Sequence, residues 1–135
     1  MRLWILSLVL VAVLGCAKNQ PTHEAAVATQ QKAISEGGVK DADLAKYKKE
    51  YELSKALYVK EPDNKIAKET YTFATVRYAT STMYSDSLDF KVKYREALKL
   101  FREALKVDPK NEDALKSKNM IEDIYTKMGR PIPQS

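Results

Sequence analysis

A polar break recurs in this chain at a fixed distance. Val59-Lys60-Glu61-Pro62-Asp63-Asn64 is echoed by Val107-Asp108-Pro109-Lys110-Asn111, and Asn64 and Asn111 stand 47 residues apart. Each break holds a proline, which has no N–H to donate and whose ring clashes with the preceding turn, so a helix must stop there. Each break also ends on an asparagine, whose side chain can accept from the free N–H groups that open a new helix. Ala56-Leu57 precedes the first break and Ala104-Leu105 the second, while Ala67 and Ala114 follow them, again 47 apart. A unit that closes one helix and opens the next, used twice, restricts the chain to helices joined by short turns, and therefore to antiparallel neighbours.

The remaining elements follow from periodicity. Residues 90–107 form the clearest helix: Phe90, Tyr94, Ala97, Leu98, Phe101, Ala104 and Leu105 fall within about 60° of Phe101 on a helical wheel, and Arg95, Glu96, Lys99, Arg102, Glu103 and Lys106 occupy the far side. Lys99 and Glu103 are spaced for an i,i+4 pair. The last helix runs from Glu112 to about Met128, with Ala114, Ile121, Ile124, Tyr125 and Met128 on its stripe and Gly129 to stop it. An earlier helix, capped by Asp41 or Asp43, reaches about Lys60. Its Leu44, Tyr47, Tyr51 and Tyr58 share one side and Leu53, Ala56 and Leu57 another, so contacts on two faces are expected. Residues 65–84 contain the strand formers Tyr71 to Tyr78, but Asn64 caps them, no second strand exists to pair with, and apolar or Thr residues on nearly every side suit a central helix. Thr22 can cap a short, weakly apolar helix over 23–36, which Gly37-Gly38 would end. The expected fold is all-α, with about five helices in antiparallel hairpins.

The segment from Tyr94 to Asn111 resembles the second helix and exit turn of a tetratricopeptide repeat. That family places Ala, an aromatic four residues on, Ala three further and Pro five further, and Ala97, Phe101, Ala104 and Pro109 satisfy all four. The small residues permit close helix approach and the aromatic fills the space between. The resemblance implies an α-α superhelix of two to two and a half repeats over residues 41–129. The 47-residue spacing exceeds the family period of about 34, and the Leu-Gly pair of the family's first helix falls here on Tyr71-Thr72, so a long-helix relative is implied rather than a regular array.

The N-terminal end reads as an address. After Arg2 comes an uncharged apolar run over residues 3–15, too short for the ~20 residues that span a bilayer. It ends in Val13-Leu14-Gly15-Cys16, which resembles the lipobox of bacterial lipoproteins, and Cys16 is the sole cysteine. The resemblance implies a signal peptide over 1–15, cleavage before Cys16, and a diacylglyceryl anchor with palmitate-type chains on its thiol. Ala17 in place of Asp implies the periplasmic face of the outer membrane rather than the inner membrane. Residues 16–40 then form a lipid-anchored tether and 130–135 a polar tail. Losing Arg2 takes the formal charge from +5 to +4, with both signs interspersed, so a nucleic-acid partner is not expected.

Composition narrows the chemistry. One cysteine excludes an intrachain disulfide framework and a cysteine-based zinc site. The single histidine, His23, lies in the tether, and four glycines leave no phosphate-cradling loop. Glu112-Asp113 and Glu122-Asp123 are adjacent on helices and diverge, and Asp86 and Asp89 suit turn and cap roles. No catalytic residue, cofactor or metal is expected, and the chain reads as a non-enzyme. The expected function is an envelope adaptor that binds a protein or peptide; the alternative is a structural lipoprotein that self-associates. Counting the family's positions from Pro62 places Glu69, Phe73 and Arg77 on the concave surface as a candidate partner groove, with Arg77 awaiting either a partner carboxylate or an intramolecular one such as Glu50, Glu52 or Asp89. Two and a half repeats leave an open end, so a homodimer or a covering partner is also expected.

Overall fold

The computed structural model describes residues 40–134, and these are all-helical in regular structure. Four helices follow one another: α1 Asp41–Lys60, α2 Lys65–Met83, α3 Phe90–Val107 and α4 Glu112–Lys127. The additional helix expected over 23–36, the signal peptide and Cys16 lie outside the described residues.

The helix ends follow local chemistry. Asn64 Oδ1 accepts from the N–H groups of Ile66 and Ala67 at 2.9 and 3.2 Å, and Asn111 Oδ1 accepts from that of Ala114 at 3.0 Å. Asp89 caps α3 through the Lys91 N–H at 2.9 Å. At α1 the expectation of an aspartate cap is corrected. Lys40 occupies the cap position without a side-chain bond, while Asp41 and Asp43 lie in the first turn, where carboxylates face the free N–H groups. Gly129, at φ 62°, takes the left-handed conformation that closes α4. The Arg130 N–H then returns to the Tyr125 carbonyl at 3.0 Å.

The element rich in strand formers is the central helix. α2 packs against α1 on one side and α3 on another, and also touches α4. Tertiary burial overrides the strand preference of its β-branched and aromatic residues. Two of its buried threonines are satisfied within the helix: Thr75 Oγ1 donates to the Tyr71 carbonyl at 2.7 Å and Thr82 Oγ1 to that of Tyr78 at 2.9 Å. The core lies where α2, α3 and α4 meet, around Val76, Ala79, Met83, Leu98, Phe101, Ile121 and Tyr125. Leu100, outside the stripe centred on Phe101, is buried as well.

Two further expectations are corrected. Among the described residues α1 packs on one face: Tyr47 and Ser54 are buried, while Leu53, Ala56 and Leu57 are exposed. The C-terminal segment is more than a polar tail. Ile132 packs against the core, and the Pro133 carbonyl accepts from Arg102 Nη1 at 2.6 Å. Arg102 Nη2 also pairs with Glu122 at 3.0 Å, and Lys118 joins the same carboxylate at 2.8 Å, so one cluster fastens α3, α4 and the tail.

Candidate functional site

α1 and α3 both pack on α2, yet their backbones do not meet. A groove with a volume of ≈ 600 Å³ runs between them, from Asp41 at the start of α1 to Lys55 and Glu103 at its other end. Tyr78 and Thr82 of α2 supply part of its floor.

At the Lys55 end, one carboxylate gathers three donors from two other helices. Glu103 Oε1 of α3 accepts from Tyr51 Oη at 2.8 Å, from Lys55 Nζ at 2.7 Å, and from Tyr71 Oη of α2. Lys55 also donates to Tyr51 Oη at 2.8 Å. The rings pack on one another: Tyr58 and Tyr71 stack 5.0 Å apart, Tyr51 and Tyr71 stack at 6.0 Å, and Tyr78 is tilted against Tyr51 at 5.5 Å between centroids. Burial pushes the Glu103 carboxyl up, but the bonds from Lys55, Tyr71 and Tyr51 outweigh it and hold the group below the usual carboxylate range. Burial and the adjacent carboxylate push the Tyr71 hydroxyl well up, so it remains a donor. The bond to Glu103 raises Lys55 in turn. The expected Lys99–Glu103 pair is therefore replaced by one that ties α1 to α3 over α2.

The three residues singled out on the sequence share a face of α2 but have different surroundings. Glu69 is exposed and pairs with Lys65 at 3.7 Å. Phe73 and Arg77 are half-buried. Arg77 Nη2 meets Glu50 of α1 at 3.1 Å, and the guanidinium lies 4.4 Å above the Tyr47 ring and 5.7 Å from that of Phe73. Its charge is answered within the chain. Arg77→Gln is expected to cost about 1–2 kcal/mol, because it removes a partly buried ion pair and a cation–π contact together. Urea unfolding with tryptophan-independent detection, such as circular dichroism, measures this; wild-type stability would show that neither contact matters.

Among the residues expected to pack between repeats, Ala97, Phe101 and Ala104 are completely buried, and Pro109 is exposed in the α3–α4 turn. Among the described residues, no group of three or more His, Cys, Asp or Glu side chains is placed to hold a metal ion. No described helix is long and apolar enough to cross a membrane. The Glu103 node was missed on the sequence. Its one signal was the tyrosine stripe of α1, which reads as packing with hydroxyls reaching water, whereas Tyr51 reaches a carboxylate.

Comparison with known proteins gave no match: no family model, no curated protein and no solved structure shows significant similarity to this chain.

Proposed function

We propose that this chain is a lipid-anchored protein of the bacterial cell envelope, an adaptor whose helical hairpins hold a protein or peptide partner close to the membrane. The observation that carries this reading is the sole cysteine, Cys16, placed directly after a short uncharged apolar run and the Val13-Leu14-Gly15 sequence. The periplasmic face of the outer membrane is the proposed location, from Ala17. A tetratricopeptide-like stack is the proposed architecture. It is supported by the complete burial of Ala97, Phe101 and Ala104, the small-aromatic-small set that lets α3 approach its neighbours closely. The open groove between α1 and α3 supports a binding role, because helices that leave a concave strip between them offer a second helix or peptide a preformed seat.

Cys16→Ala is expected to move the protein from the membrane fraction to the soluble periplasmic fraction. A variant that stays with the membrane like the wild type would refute lipid anchoring at this residue. Crosslinking of intact envelopes then tests the adaptor role, for which one heterologous protein in the adduct is the expected result.

A second reading, the self-associating structural lipoprotein, is favoured by one observation. Leu53 and Ile66, at 64% and 71% exposure, lie on the α1–α2 hairpin. Adducts containing only this chain or wall material would support it.

A further inference from the structure

Resting on the adaptor reading above, we infer that the groove between α1 and α3 is the docking site and that its occupant is an acidic amphipathic helix of a partner protein. The walls set its direction. α1 and α3 run the same way, because each is joined to the antiparallel α2 by a short turn. A helix lying between them in the opposite sense aligns its dipole favourably with both. The length follows from α1: Asp41 to Lys55 spans about four turns at roughly 1.5 Å per residue.

The lining sets the chemistry. Leu44, Tyr51, Val92 and Leu100 give the groove an apolar interior, which suits the i, i+3/i+4, i+7 stripe of an amphipathic helix. Lys48 on the α1 wall and Lys99 on the α3 wall are both exposed, and neither has an ion pair among the described residues. Two of the three acidic groups of the same walls are already engaged. Glu103 holds Lys55 and Glu96 meets Arg95 at 3.5 Å, while Asp41, the third, stands at the far end of the groove in the first turn of α1. Along the apolar strip the uncompensated charge is therefore one ammonium on each side, against a single aspartate at its end. Carboxylates flanking the partner's apolar stripe would meet both. This seat is distinct from the Glu69, Phe73 and Arg77 face of α2, where Glu50 has already answered the arginine.

The test uses the full chain in phosphatidylcholine nanodiscs, with empty nanodiscs as blank. The probes are two fluorescent 16-residue helical peptides with the same leucine stripe, one flanked by glutamates and the other by lysines. The acidic peptide is expected to bind at least about tenfold more tightly than the basic one, and the double variant K48E/K99E to invert that order. A photo-crosslinker at Ala45, a groove-lining position, should capture the acidic peptide, whereas one at Leu53 should not. Equal binding of the two peptides, no binding of either, an order unchanged in K48E/K99E, or capture from Leu53 instead would each overturn the inference. So would an adduct of two copies of this chain from Ala45. If K48E/K99E does not fold, K48Q/K99Q should abolish the preference instead, and the peptide swap on the wild type stands by itself. The two levels separate cleanly. A heterologous envelope adduct that persists in K48E/K99E leaves the adaptor reading intact and removes the groove, while an envelope with no heterologous adduct removes the adaptor reading.

Discussion

Replacing Phe101 by alanine is expected to be the most destabilising single truncation in the helical domain, at roughly 3–5 kcal/mol. The side chain is completely buried on α3, the helix that packs against both α2 and α4. Its neighbours along the same face are Ala97 and Ala104, also completely buried. Neither can extend into the vacated volume, so the cavity should persist, and residual cavity is what raises the cost above simple transfer. Small domains hold only about 5–15 kcal/mol in total, so Phe101→Ala should lower the urea midpoint sharply or leave the domain partly unfolded at 37 °C. Phe101→Leu keeps most of the volume and should retain the fold with a much smaller loss. Circular dichroism through a urea titration distinguishes the pair. A loss below about 1 kcal/mol for the alanine variant would mean that α3 repacks freely and that the resemblance at these positions has no energetic content.

The order of helices was legible because its signals are local. A proline, an asparagine cap and a wheel with one apolar side each act within a turn or two of chain, and Asn64, Asn111 and the Phe101 stripe act that way here. The central position of α2 was legible for a related reason: a helix without a polar side has nowhere to lie except between others. What was illegible depends on where two helices cross. Glu103 lies on the wheel side that should face water, with Lys99 one turn away, yet it is met from α1 by Lys55 and Tyr51. Nothing in the spacing of α3 encodes the reach of a side chain 48 residues earlier. The same holds for α1, where Leu53 and Leu57 look like a second packing face and are exposed. For Arg77 the class of answer, an intramolecular carboxylate, was among the alternatives, and choosing Glu50 required the crossing of α1 over α2.

Glu103 also sets an expected pH effect on the acid side. Its carboxylate is 21% exposed and accepts from two tyrosine hydroxyls and an ammonium, which strengthen one another in a partly desolvated place. Glu103→Ala leaves Tyr71 and Tyr51 without their acceptor and Lys55 without its counter-charge, and is expected to cost about 2–4 kcal/mol at pH 7. Glu103→Gln keeps the shape and one acceptor oxygen but removes the charge, so its loss should be smaller. The pH dependence has a definite sign. The folded carboxyl titrates below its ordinary value of 4.5, so on acidification the unfolded chain takes up the proton first. The stabilisation is then complete above that ordinary value and disappears as pH falls through the folded one. Glu122, lowered by Lys118 and then Arg102 against the effect of burial, adds an acid-side loss of the same sign. The single variants isolate the Glu103 share. Between pH 7 and 5 the stability gap between wild type and Glu103→Gln should be constant; below 4.5 it should narrow, and it should close once the pH is under the folded value, because both proteins then present an uncharged group to Lys55. A gap that stays the same down to pH 3 would mean that the charge of Glu103 contributes nothing and that the tyrosine hydroxyls alone hold α1 and α3 together over α2.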